Sequence, residues 1–129
     1  LGFEKPLILA VTLLTSLDSN DLADIGVGGN PADQVKRLAA LTQESGLDGV
    51  VCSADEIEPL REQCGPSFKL LTPGIRPDWA AVGDQKRVTT PSNAVARGSD
   101  YLVIGRPITG AKDPVNAARR IAEELANVG

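Results

Sequence analysis

The stretch GLDGVVCSADEIEPLREQCGPSFKLLTPGI, residues 46–75, contains two apolar runs, 46–54 and 67–75, separated by a segment with helical spacing. Both runs are continuous rather than alternating in polarity. Such runs are typical of strands that are buried on both faces of a parallel sheet. The stretch therefore predicts a strand–helix–strand unit, which is the repeating element of α/β proteins.

Two further apolar runs, at 6–15 and 100–108, extend this alternation to four strands. Four strand–helix units fit either a small doubly wound sheet or half of an eight-stranded (β/α)8 barrel. The first run lies almost at the beginning of the sequence, which leads us to expect that further chain precedes it.

Helix boundaries are marked by capping residues. Asn30, Ser53, Thr90 and Asp113 are predicted N-caps, three of them followed directly by a proline at the first helical position. Gly98 is a predicted helix stop. Pro59 is expected to shorten or kink the helix after Ser53, and a short extra helix is predicted around residues 18–25.

Composition excludes several functional classes. The 129 residues have a net charge of −4 and 3% aromatic residues, without the basic stripe of a nucleic-acid-binding surface. No apolar run approaches the roughly 18 residues of a membrane span, and the first residues lack the features of a signal peptide. The chain has no His, and its cysteines, Cys52 and Cys64, do not form a CxxC pair. We therefore expect buried thiols in a cytoplasmic protein and no zinc site.

The carboxyl ends of the strands are where ligands bind in both candidate architectures. At the carboxyl end of the fourth run, Gly105 allows a ligand to approach the backbone closely and Arg106 offers charge-assisted donors. Pro107 stiffens the backbone that follows. With DPVNAARR beginning the next helix, this pattern suits a bound phosphate. A tight turn at Gly105 and a surface ion pair at Arg106 explain the pattern equally well.

The loop after the third run, within LLTPGIRPDWAAVGDQKR (70–87), is long enough to indicate a functional lid. Gln85 can donate and accept hydrogen bonds, which suits a bridge between two parts of a ligand. Trp79 is interpreted as a local packing anchor rather than a lid hydrophobe. Lys86 and Arg87 are interpreted as solvated charges.

The first run ends in Thr15 and Ser16, whose hydroxyls could contact a ligand or cap the following helix. From the residues alone we favour the cap. Asp18, Asp21 and Asp24 are interpreted as a solvated acidic face rather than a metal cluster.

Four segments, LAALTQESGLDGVVCSA, LLTPGIRP, GDQKR and DYLVIGRPIT, together resemble the bacterial orotidine 5′-phosphate decarboxylases. The resemblance covers nearly the whole chain, with motifs in the family's order. It implies a (β/α)8 barrel, dimeric when complete, that converts orotidine 5′-phosphate to UMP without a metal or organic cofactor.

Carried over residue by residue, the resemblance implies roles in substrate binding. Gly105 and Arg106 would hold the phosphate, Gln85 would link phosphate and pyrimidine, Arg76 would contact the phosphate side, and Thr15 would contact the pyrimidine edge.

The family's catalytic Asp-x-Lys-x-x-Asp arrangement is absent from this sequence. The chain therefore resembles the second half of the barrel, strands five to eight, as a single partial domain over residues 1–129. We expect no catalytic residue in this chain and no activity from it alone, the catalytic half being its missing partner. The alternatives are a non-catalytic half-barrel that binds phosphate or assists folding, and a related barrel acting on a sugar phosphate.

Overall fold

A computed structural model of the chain describes residues 2–80 and 88–129. Strands and helices alternate along it. The strands are β1 (Leu9–Val11), β2 (Gly49–Val51), β3 (Lys69–Thr72) and β4 (Tyr101–Leu102), and the helices are α1 (Ser19–Asp24), α2 (Pro31–Glu44), α3 (Ile57–Cys64), α4 (Pro91–Arg97), α5 (Arg106–Thr109) and α6 (Pro114–Ala126), with a 3-10 turn at Ala54–Glu56.

The four strands form one parallel sheet in the order β1-β2-β3-β4. A doubly wound sheet reverses its strand order at a switch point, whereas strands of a barrel follow one another around the ring. The observed order therefore removes the doubly wound alternative and agrees with the α/β barrel alternative.

The strands are shorter than the apolar runs that predicted them. β1 occupies only the centre of the run at 6–15, and the chain turns soon afterwards, where the N–H of Leu17 donates to the carbonyl of Leu14. The run at 100–108 is divided between β4 and α5. Regular pairing ends there because the backbone turns into a helix at Gly105.

The core lies between the sheet and the helices, on one face of the sheet. Its members are buried apolar side chains of α2, β2, α3, β3 and α4, among them Val35, Val50, Leu60, Leu70 and Ala94. Burial raises the pKa of the Cys52 thiol to about 11. Both cysteines are free and buried, as predicted.

The apolar runs also predicted that every strand is buried on both faces of the sheet. That prediction is wrong for this chain. Val11, Val51, Leu71 and Tyr101 are register partners that form one row across the four strands. Val11 is 63% exposed and Tyr101 is 43% exposed. Helices cover only the opposite face, so this row has no cover among the residues that the structure describes.

Three of the predicted N-caps are confirmed. The side chains of Asn30, Thr90 and Asp113 each accept an N–H from the first turn of α2, α4 and α6, respectively. Gly98 ends α4 in the left-handed conformation, as predicted. Each cap satisfies a backbone donor that the helix itself leaves unpaired.

Ser16 is not the cap of the first helix. Asp18 takes that position, and the N–H groups of Asp21 and Asn20 lower the pKa of the Asp18 carboxyl. In turn, the Asp21 carboxylate accepts a hydrogen bond from the N–H of Asp18 at 2.8 Å. Two of the three aspartates predicted to share a solvated face are thus engaged in a capping box.

Ser53 precedes a 3-10 turn rather than an α-helix, and its N–H donates to the Glu56 carboxylate at 2.7 Å. α3 begins only at Ile57, so Pro59 lies in its first turn. Proline is tolerated there because the N–H it lacks has no partner within the helix. Pro59 therefore goes with a shortened α-helix that begins late, at Ile57, and it does not break that helix.

Arg61 ties the amino ends of β3 and β4 to α3. One guanidinium nitrogen donates to the carbonyls of Gly65 (2.9 Å) and Phe68 (2.6 Å), and another contacts Asp100 at 2.7 Å. The same carboxylate oxygen of Asp100 accepts the N–H of Leu70 at 2.9 Å. This network satisfies backbone groups at the edge of the sheet opposite the candidate ligand site.

Within the described part of the chain, no helix is both long and apolar enough to cross a membrane.

Gly49 is a specific steric requirement of the β2–β3 pair. A Cβ at this position would collide with the carbonyl oxygen of its register partner, Lys69. We predict that Gly49→Ala lowers the free energy of unfolding by about 1–3 kcal/mol, the cost of overpacking, as measured by urea denaturation. Gly28→Ala is the control, since a Cβ there meets no atom within 4 Å. Equal stability of the two variants would contradict the prediction.

Candidate functional site

The carboxyl ends of all four strands lie along one edge of the sheet because the strands are parallel. β3 leads through Pro73 and Gly74 to Arg76, and β4 leads through Gly105 to Arg106. β3 and β4 are hydrogen-bonded neighbours. The topology alone therefore brings the two arginines to adjacent loops.

Three cavities follow this edge. The largest, about 650 Å³, is bordered by Arg76 and Arg106. A second, of about 210 Å³, is also bordered by both arginines and by Gly105. The third, of about 190 Å³, contains Thr15 and shares Gly74 with the second. Arg76, Gly105 and Arg106 thus meet around one space, and Thr15 lies in the neighbouring one.

Gln85, Lys86 and Arg87 lie outside the described residues. The predicted role of Gln85 accordingly stays a prediction.

Arg76 is held in place by its backbone and by burial. Its N–H donates to the carbonyl of Thr89 at 3.1 Å, which links the two ends of the long loop. The residue is only 9% exposed. Arg76 thus brings a guanidinium group to the border of the cavity.

Arg106 makes no ion pair with any residue of the described ranges. The surface ion pair considered from the sequence is therefore not formed there. Gly105 precedes α5, and the hydrogen bonds of the described residues leave the N–H groups of Gly105 and Arg106 without an acceptor. Two backbone donors and one guanidinium are consequently available to an anion.

The helix that follows the Gly-Arg pair is not the one expected. DPVNAARR begins α6, but the short helix α5 comes between, and Arg106 is its first residue. The amino end of α6 is occupied by its own cap, because the Asp113 carboxylate accepts the N–H of Asn116 at 3.0 Å. A phosphate held near Arg106 would therefore meet the α5 turn, not α6.

Two basic residues at the largest cavity were not identified from the sequence. Lys112 and Arg120 border it together with Arg76 and Arg106, and none of the described residues that line it is acidic. Lys112 follows α5, and Arg120 is one of two adjacent arginines in α6. Sequence spacing gives no reason to choose Arg120 over Arg119, since the choice depends on how α6 packs.

Trp79 is half-buried beside the same cavity, with the guanidinium carbon of Arg120 4.1 Å from its ring centroid. This geometry is a cation–π contact. It supports the interpretation of Trp79 as a packing anchor.

The arrangement is suited to holding a phosphate. Four positive side chains surround a cavity in a protein whose net charge is −4, so the positive potential is local. Clusters of this kind raise the local concentration of small anions.

Comparison with known proteins gives consistent matches. A family model described as "Orotidine 5'-phosphate decarboxylase / HUMPS family" matches residues 2–121. The orotidine 5′-phosphate decarboxylase of Rhodospirillum rubrum is 59% identical over 125 residues, covering 97% of this chain and 51% of the relative. That of Actinobacillus pleuropneumoniae serotype 5b is 57% identical over 120 residues, covering 93% of this chain and 52% of the relative.

Solved structures agree in fold. The crystal structure of orotidine 5′-phosphate decarboxylase from Lactobacillus acidophilus is 40% identical, with a TM-score of 0.83, covering 96% of this chain and 51% of that chain. An uncharacterized conserved protein from Geobacillus kaustophilus, also 40% identical, gives a TM-score of 0.79 over the same shares.

The chain spans about half the length of the curated relatives it matches. Since the family model matches most of its residues, this chain belongs to the orotidine 5′-phosphate decarboxylase / HUMPS family.

Proposed function

We propose that this chain is the phosphate- and pyrimidine-binding half of an orotidine 5′-phosphate decarboxylase, comprising strands five to eight of its (β/α)8 barrel. The complete enzyme would convert orotidine 5′-phosphate to UMP in pyrimidine biosynthesis. The observation that carries the proposal is the cationic cavity at the carboxyl edge, present in a chain whose close relatives bear that enzyme's name.

Arg106 and Gly105 are the proposed phosphate ligands. The guanidinium presents planar donors that match phosphate oxygens, and the two unpaired N–H groups lie at the same turn. Arg76, from the loop after β3, borders the same cavity and contributes charge to it. At neutral pH a phosphate monoester carries nearly two negative charges, which these groups can balance.

Thr15 and Gln85 are the proposed contacts to the rest of the nucleotide. Thr15 is exposed at the carboxyl end of β1, in the cavity adjoining the arginines, as a contact to the pyrimidine edge requires. The assignment of Gln85 as a bridge between phosphate and pyrimidine rests on the resemblance of GDQKR alone.

The chemical step is assigned to the half of the protein that is not in this chain. In decarboxylation the bond to the carboxylate breaks, CO2 leaves, and the ring carbon accepts a proton. The lysine and aspartates implied for that step have no counterpart in this sequence. Phosphate binding far from the reacting carbon would supply binding energy that stabilises the transition state.

The exposed apolar row on the sheet supports a missing partner. Val11 and Tyr101 lie at its two ends, on the two edge strands, each of which has only one neighbouring strand among the described residues. Unpaired edges beside an uncovered apolar face favour association. In the complete protein we assign this surface to the other half of the barrel. The complete enzyme is proposed to be a cytoplasmic homodimer with no cofactor.

The proposed function is tested by reconstitution. We predict that this chain, co-expressed with the half of the Rhodospirillum rubrum relative that it does not match, converts orotidine 5′-phosphate to UMP, measured by absorbance. The chain alone should be inactive. Arg106→Ala should lower kcat/KM about 10- to 100-fold, the value of a charge-assisted hydrogen bond, and Arg119→Ala, outside the cavity lining, should not.

Turnover by the chain alone would contradict the assignment of catalysis to the other half. An inactive pair in which this chain still binds UMP would instead support the alternative of a non-catalytic half-barrel.

Gly105 offers a test of the phosphate site that spares the fold. A Cβ there meets no atom of the described residues within 4 Å, and the φ of Gly105 is negative, at −98°. We predict that Gly105→Ala leaves thermal stability unchanged but weakens UMP binding about tenfold, since the methyl group would occupy the ligand's space. Calorimetric titration measures the affinity. Unchanged UMP affinity would remove Gly105 from the site.

A further inference from the structure

Trp79 and Arg120 lie outside the set of proposed phosphate residues, yet both border the same cavity as Arg76 and Arg106. They come from separate elements. Trp79 is in a turn closed by the N–H of Ala80 donating to the carbonyl of Pro77 at 3.0 Å, and Arg120 is inside α6. Their contact therefore joins the loop after β3 to the last helix.

The contact fixes the position of the guanidinium without using its donors. The guanidinium carbon lies over the ring, 4.1 Å from its centroid. The N–H groups of a guanidinium lie in its plane and remain available when a face is stacked. Arg120 makes no ion pair or side-chain hydrogen bond with any other described residue.

The electrostatics of the cavity favour an anion beside Arg120. Within the ranges 2–80 and 88–129, its lining includes Arg76, Arg106, Lys112 and Arg120 and no acidic side chain. Asp113, which is next to Lys112 in the sequence, is engaged as the cap of α6. Arg106, Lys112 and Arg120 are like charges around one space, and an anion bound among them would relieve their mutual repulsion.

We propose that Arg120 is a further phosphate-binding residue of this cavity and that Trp79 is the residue that positions it. The proposal rests on the proposed phosphate site and extends it from the strand ends to α6. The ligand is the same phosphate monoester dianion. Holding Arg120 on the ring in advance reduces the entropy that the side chain would lose on binding.

The first test is the affinity of the full chain for UMP, measured by calorimetric titration at low salt. Arg120→Ala should weaken binding about fivefold to tenfold, as expected for loss of a partly exposed charge-assisted contact. Arg119→Ala removes the same charge from the adjacent position of α6, which does not border the cavity, and should bind like the wild type. Uridine, which lacks the phosphate, should bind both variants and the wild type with the same affinity.

The second test is a double-mutant cycle between the two residues. Trp79→Leu should weaken UMP binding less than Arg120→Ala does, and the double variant should bind no more weakly than Arg120→Ala alone, because Trp79 acts through Arg120. Trp79→Phe keeps an aromatic face and should restore most of the affinity. Thermal denaturation of each variant verifies that the fold is retained.

Several results would overturn the proposal. If Arg120→Ala binds UMP as Arg119→Ala does, Arg120 is not a ligand, although the site at Gly105 and Arg106 stands. Additive losses in the double variant would mean that Trp79 does not act through Arg120. If the wild-type chain itself fails to bind UMP, the proposed phosphate site fails and this extension fails with it.

Discussion

Parallel pairing of the four strands is the constraint on which the rest of the structure depends. Because β1 to β4 run in the same direction and in sequential order, every loop that leaves the carboxyl end of a strand emerges at the same edge. The close approach of β2 and β3 requires a glycine at position 49. At the opposite edge Arg61 and Asp100 satisfy backbone groups that the helices and strands leave free. The amino edge thus contributes to stability, and the carboxyl edge carries the proposed ligand site.

The same sheet has one face that the described residues leave uncovered. Helices cover one face, and a row of apolar side chains from Val11 to Tyr101 remains on the other. In a barrel that row faces the interior and is covered by the remaining strands. The chain matches only about half the length of its relatives. Both observations lead to the proposed division of labour, with substrate binding in this half and chemistry in the other.

Sequence patterns predicted the features that depend on neighbouring residues. Caps at Asn30, Thr90 and Asp113 and the stop at Gly98 were predicted because each is determined within one helical turn. The first helix was predicted, but its cap was misjudged: Ser16 was favoured, whereas Asp18 holds that position because Asp21 completes a capping box with it. The short helix α5 was missed because its four residues are too few for periodicity to be detected.

Features formed by residues distant in sequence could not be predicted in this way. The Arg61–Asp100 pair and the Trp79–Arg120 contact each join different elements, and their geometry depends on tertiary packing. The proposed phosphate residues could be chosen from the sequence because strand ends of parallel sheets have a known function. That rule selected Gly105 and Arg106, and the resemblance to the family added Arg76. Neither identified Lys112 and Arg120, which border the same cavity.

The central claim is that this edge binds the phosphate of a pyrimidine nucleotide. A crystal structure of the chain with UMP tests it most directly. We expect the phosphate to lie within hydrogen-bonding distance of the Gly105 or Arg106 N–H and of the Arg106 guanidinium. The pyrimidine should be directed toward Thr15. A phosphate bound elsewhere, or at the amino edge near Arg61, would contradict the account.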